Sequence, residues 1–117
     1  MDMSDGLKEQ LQGLLSQKQP VAISAGHSKD FYGREIQGEN LSLADHRGVV
    51  EYDFRELVVT VRSGTSINDL QKTLAENNQM LAFEPPVYSG RDTIGGSIAC
   101  GLSGPRRPYI GSARDFI

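Results

Sequence analysis

Two short stretches carry the residue types that could do chemistry. The first is Ser24-Ala25-Gly26-His27-Ser28-Lys29-Asp30, at the end of the apolar run Val21-Ala22-Ile23. A loop that leaves a buried strand through a glycine can turn consecutive backbone N–H groups toward one point, and such a nest holds phosphate oxygens without formal charge. Ser28 adds a hydroxyl and Lys29 an ammonium, while an ordinary polar turn after a strand has the same composition. The second stretch is Thr93-Ile94-Gly95-Gly96-Ser97-Ile98-Ala99-Cys100-Gly101-Leu102-Ser103-Gly104, small and apolar throughout. Adjacent glycines remove two side chains, so either a planar ligand lies on the bare backbone or the chain turns tightly or packs closely there. Ten of the 13 glycines fall between Gly26 and Gly48 or between Gly90 and Gly111, which separates a conventionally packed middle from two glycine-rich segments. No G-x-x-x-x-G-K-[ST] string is present, and the spacing from Gly95-Gly96 to Gly101 does not make G-x-G-x-x-G. Both familiar nucleotide loops are therefore disfavoured.

The elements that must position these stretches can be read from periodicity. Leu7, Leu11, Leu14 and Leu15 predict an amphipathic helix over residues 5–18, with Pro20 beyond its end. Strands are expected at 21–24, 40–43, 49–54 and 57–62, with a turn over 44–48. Ser66 with Asp69 three residues on is a capping-box pattern, Asp standing in for Glu, that opens a second helix carrying Ile67, Leu70 and Leu74, and Asn77-Asn78 can end it. Met80–Phe83 reads as one more short strand, completing a βαβ-like unit before Pro85-Pro86. From Thr93 to Gly104 the expectation is irregular backbone lying against something flat.

The order of these features resembles the FAD-binding domain of the vanillyl-alcohol oxidase or p-cresol methylhydroxylase (PCMH) type. Within it, the run Glu84-Pro85-Pro86, Gly95-Gly96, Ala99-Cys100-Gly101-Leu102, Gly104-Pro105-Arg106-Arg107-Pro108 and Arg114-Asp115-Phe116 is similar to FAD-binding subunits of bacterial glycolate oxidases. The resemblance covers residues 21–117, with residues 1–20 as a preceding helix. It implies an α+β fold, the N-terminal portion of a PCMH-type domain, built as a small mixed sheet with flanking helices. It also implies FAD as cofactor, with Ala25, Gly26, His27, Ser28 and Lys29 around the pyrophosphate. Thr93, Gly95 and Gly96 would lie along the ribityl chain and ring, Ser97, Ala99 and Gly104 would complete that wall, and Pro85 would border the dinucleotide. Some relatives bond FAD covalently through a histidine in this loop; the glycolate oxidase type implies a non-covalent site, with His27 facing the pyrophosphate. The implied reaction is oxidation of a small 2-hydroxy acid by a complex whose other subunits include an electron acceptor. A subunit that relays electrons or serves structurally, and a folded fragment that does not retain FAD alone, are the competing readings.

Composition sets the outer limits. The chain has 117 residues and a net charge of −3, and its one basic cluster is Arg106-Arg107, which disfavours nucleic acid as partner. That pair either docks a partner subunit or ligand phosphate, or is an exposed charged loop. No apolar run approaches bilayer length, the first residues are acidic and polar, and a single cysteine cannot form an internal disulfide, so a cytoplasmic protein without a transmembrane segment is expected, with peripheral membrane attachment through partner subunits as the alternative. Cys100 has no base beside it in sequence and reads as a small packed residue. His46 reads as a solvated turn residue, and neither Asp53 and Glu56 nor any His/Cys/Asp cluster offers metal-ligand or paired-carboxylate spacing. Arg114–Ile117 has the pattern of an approach to a further strand. The expectation is therefore the N-terminal half of a larger binding domain, with weak FAD retention and an exposed apolar edge.

Overall fold

The computed structural model describes residues 1–117. In chain order it contains α1 (Ser4–Ser16), β1 (Val21–Ser24), β2 (Glu39–Ser42), β3 (Val49–Asp53), β4 (Val58–Val61), α2 (Ile67–Ala75), α3 (Ile94–Cys100), α4 (Arg107–Ile110) and a 3-10 turn (Ala113–Phe116). The four strands do not join into the one mixed sheet expected. β1 pairs in parallel with β2, from Val21 opposite Glu39 to Ser24 opposite Ser42, and β3 pairs antiparallel with β4, with a bulge between Val49 and Glu51. The Asp53 carboxylate shapes the β3–β4 turn by accepting hydrogen bonds from the N–H groups of Arg55 and Glu56, and Leu57 takes the left-handed conformation that closes it.

The core lies between α2 and the β3–β4 hairpin. Ile67, Leu70 and Leu74 recur along one face of α2 and pack with Phe83, Ile94 and Ala113, while Tyr52, Val59, Val61, Leu81 and Ile98 cover this cluster. Ser66 caps α2 by accepting from the Asp69 N–H; the Asp69 side chain lies instead beside Lys72, so the expected capping box forms by half. Only 14 of 117 residues are buried, so each core side chain carries a large share of the stability. Leu70→Ala is expected to lower the unfolding free energy by about 2–5 kcal/mol, whereas Leu15→Ala, on a side chain 77% exposed on α1, should change it by less than about 0.5 kcal/mol. Urea denaturation of the two variants checks the contrast.

Three local expectations are corrected. Met80–Phe83 forms no strand and hence no βαβ unit: the Glu84 N–H donates to Leu81 C=O at 3.1 Å, Glu84 adopts φ 50°, and Pro85 and Pro86 supply no donors for a ladder. Residues 94–100 are helical despite the glycine pair. Thr93 caps the start by accepting from the Gly96 N–H, and Gly101, at φ 64°, ends the helix in the left-handed conformation. Arg114–Phe116 belong to the 3-10 turn, because the Asp115 carboxylate accepts from both the N–H and the hydroxyl of Ser112 at 2.7 and 2.9 Å and curls the chain. His46 is also less solvated than expected. Its Nδ1 accepts from the Met3 N–H at 3.1 Å and its side chain is 18% exposed, so it tethers the start of the chain to the 43–48 turn. No helix is long and apolar enough to cross a membrane. An exposed apolar edge is present, where Leu57 and Val58 of the β3–β4 hairpin border a groove with Met80, Phe116 and Ile117.

Candidate functional site

The two glycine segments meet. A cleft of about 390 Å³ opens between the loop that follows β1 and the exposed side of α3. Its volume is at the small end of ligand sites. Ala25, Gly26, His27, Ser28 and Lys29 line one wall; Thr93, Gly95, Gly96 and Ala99 line the other. Three further residues named from the sequence do not line it. Pro85 and Ser97 are buried, and the Ser97 hydroxyl makes no hydrogen bond. Gly104 packs against the Glu84 side chain and donates its N–H to Phe83 C=O, and so fixes the turn behind α3. Asp30 and Cys100 of the same two stretches join the walls, and Leu43 and Ser63 do so without having been expected there. A seam of this kind leaves no local signal, since Leu43 and Ser63 reach it only because the 43–46 turn folds onto Gly64.

The glycines do different jobs on the two walls. A Cβ on Gly26 would run into the Arg91 carbonyl oxygen, so Gly26 lets the first loop lie directly on the backbone that leads into α3. A Cβ on Gly95 would sit 2.8 Å from both Cβ and carbonyl oxygen of Ser63, which makes Gly95 a close-packing residue; Gly96 and Ala99 keep the wall thin. The N-terminal donors of α3 are all used inside the chain: Ile94 N–H bonds Thr65 C=O, Gly95 N–H bonds Ser63 C=O, Gly96 N–H bonds the Thr93 hydroxyl, and Ser97 N–H bonds Thr93 C=O. None of these four N–H groups is left for a ligand.

The first loop is the opposite case. None of the backbone N–H groups from Ala25 to Phe31 donates a hydrogen bond within the chain. His27, at φ 60°, sits in the left-handed region, the kind of reversal that turns neighbouring N–H groups to the same side. Its ring Nδ1 lies 2.9 Å from the Asp30 carboxylate, and both side chains are more than half exposed. Lys29 is not the free ammonium that its position in sequence suggested. Its side chain is 7% exposed, with Nζ 3.0 Å from Asp92 Oδ1 and 3.3 Å from the Ser28 hydroxyl. The other Asp92 oxygen accepts from the N–H groups of Tyr88 and Ser89, both at 3.1 Å. Burial alone pushes the Asp92 carboxyl up, but the Ser89 N–H, the Ser28 hydroxyl, the Lys29 ammonium and the Tyr88 N–H outweigh it and hold the group well below the ordinary carboxylate range.

A pyrophosphate-bearing cofactor is a reasonable fit to these groups. Unspent N–H donors line a concave loop, the one nearby ammonium is already neutralised, and the facing wall is small-residue backbone. Residues 7–117 match the family described as FAD binding domain. The chain is a member of that FAD-binding family. It is 47% identical over 116 residues to glycolate oxidase subunit GlcE of Escherichia coli (strain K12), covering 99% of this chain and 33% of that protein. It is 30% identical over 80 residues to D-lactate dehydrogenase of Anaerostipes hadrus, covering 68% of this chain and 16% of that protein. The chain thus spans about a third of the length of the first relative and less of the second. No solved structure gives a significant match. The α+β architecture and FAD as cofactor, both implied by the motif run, stand with this family, as does the likeness to a glycolate oxidase subunit.

Proposed function

We propose that the cleft holds the phosphate-bearing portion of FAD without a covalent bond. In this reading the backbone of Ala25, Gly26, His27 and Ser28 faces the pyrophosphate, and Thr93, Gly96 and Ala99 flank the cofactor beyond it. Gly95 and Lys29 serve by shaping the walls, and Pro85, Ser97 and Gly104 by supporting α3 from behind. The observation that carries it is the run of unpaired backbone N–H groups from Ala25 to Phe31. The protein then acts in the cytoplasm as an FAD-carrying part of a complex that oxidises glycolate or a related small 2-hydroxy acid, passing electrons to partner subunits. Support for the substrate class comes from the two relatives, a glycolate oxidase subunit and a D-lactate dehydrogenase, since glycolate and D-lactate share the 2-hydroxy-acid group. Bound FAD would supply a hydride acceptor; the residues of this chain bind and orient it.

His27→Asp tests the loop. Aspartate tolerates the left-handed backbone at this position but sets a carboxylate at the mouth of the nest, and FAD affinity is expected to fall at least about tenfold, a cost of about 1.4 kcal/mol. His27→Asn should bind as the unaltered chain does. Quenching of FAD fluorescence on titration measures both, and equal affinity of the aspartate variant would remove the loop from the site. Acid precipitation separates the modes of attachment: yellow colour is expected in the supernatant, and colour in the pellet would mean a covalent bond.

A further inference from the structure

We infer that the Lys29–Asp92 pair is a strap that holds the donor loop in its binding shape, so that the cleft's affinity for an anionic cofactor depends on two residues that need not touch it. The inference rests on the assignment of the loop to FAD. A segment whose backbone donates no internal hydrogen bond from Ala25 to Phe31 has no ladder to hold it. Fixing each such residue costs about 1–2 kcal/mol of conformational entropy, which contacts elsewhere must offset. Contacts that hold it all reach the same short stretch of chain, where the Lys29 ammonium also lies 5.8 Å from the centre of the Tyr88 ring. Gly26 abuts the Arg91 carbonyl, Lys29 bonds Asp92, and the Phe31 ring meets the Tyr88 ring edge-on, with centroids 5.5 Å apart. The ring pair is exposed, and the glycine contact is steric only. The ion pair is the buried charged link, and the Ser28 hydroxyl supports the same carboxylate from the loop side.

Asp92 is a firm anchor. Besides accepting from Tyr88 and Ser89 through its carboxylate, it accepts through its backbone C=O from the Ile67 N–H at 2.9 Å, at the start of the core helix α2. A continuous path therefore runs from the core through Asp92 and Lys29 to the loop. The pairing has an electrostatic consequence as well. With its ammonium neutralised, the loop recognises an anion through oriented N–H dipoles and not through net charge.

Lys29→Met, Asp92→Asn and the double variant, made in the 117-residue chain, test the strap. Each single change leaves a buried group uncompensated and should lower the urea midpoint, while the double change removes both charges and should bring the midpoint back toward the unaltered chain. If the pair only stabilises the fold, FAD affinity returns with the midpoint. If it positions the loop, the double variant still binds FAD about tenfold more weakly or worse, and chymotrypsin cuts after Phe31 or Tyr32 several-fold faster. Wild-type affinity and wild-type cleavage in the double variant would overturn the inference. So would tighter FAD binding by Asp92→Asn, because that would mean that the freed Lys29 ammonium binds the phosphate directly. Failure of the unaltered chain to bind FAD would agree with the weak retention expected of this part of the domain, and the cleavage rates would still decide the strap.

Discussion

Gly64→Ala is expected to destabilise the protein by about 3 kcal/mol or more, among the largest effects of a single added methyl group. A Cβ at this position would collide with the Leu43 carbonyl oxygen and lie 2.8 Å from that of His46 and 3.1 Å from that of Ala44. Three oxygens of one turn wrap a single glycine, and none is the movable end of a side chain. The turn cannot readily step back. Leu43 N–H is bonded to Ser24 C=O, Gly64 N–H to His46 C=O, and the Thr65 hydroxyl links Gly48 to Arg62. The variant must therefore separate the 43–46 turn from the start of α2. Urea denaturation measures the loss, and a change within about 0.5 kcal/mol, the range of an ordinary surface substitution, would show that the turn yields. Leu43 and Ser63 both line the cleft, so FAD affinity should fall with stability.

Gly26→Ala should act on the site with less effect on the core. The new methyl group would meet the Arg91 carbonyl oxygen, with the carbonyl carbon at 2.8 Å. Either the loop lifts off the backbone ahead of α3 or that backbone moves, and in both cases the unpaired donors of the loop shift relative to the facing wall. The core cluster around Ile67 and Leu70 has no part in this contact. The expected result is a loss of FAD affinity of about a hundredfold, equivalent to about 2.7 kcal/mol, with a destabilisation of only about 1–2 kcal/mol. Fluorescence titration and denaturation of one preparation separate the two. Loss of both in equal measure would mean that the loop is part of the folding core.

The pairing of these glycines with their neighbours shows what was and was not legible along the chain. The Leu stripe of α1, the Ile67-Leu70-Leu74 face of α2 and the β-branched run of β4 are local patterns, and each folds close to where its periodicity places it. The Thr93 cap and the Gly101 terminator were equally local, yet the glycine pair between them masked the helix. Its stability comes from outside: Ile94 and Gly95 donate to Thr65 and Ser63, and absence of a side chain at Gly95 permits that approach. Met80–Phe83 is the opposite case: without a partner strand the segment turns, placing Leu81 and Phe83 on the core and leaving Met80 exposed.

The sequence by itself determined the family, the periodic elements and the two segments from which the site is built, because motif order and residue spacing are properties of the chain alone. Only the tertiary structure decided how those segments meet. Lys29 and Asp92 stand 63 positions apart, and their pairing turns an apparent phosphate-binding ammonium into an internal support. Likewise, the donors of α3 are consumed by residues 63–65 and Thr93, while those of Ala25–Phe31 stay free. Which N–H groups remain for a ligand depends on what every other acceptor in the folded chain has already taken. That allocation is settled by distances in three dimensions, which no window of sequence encodes.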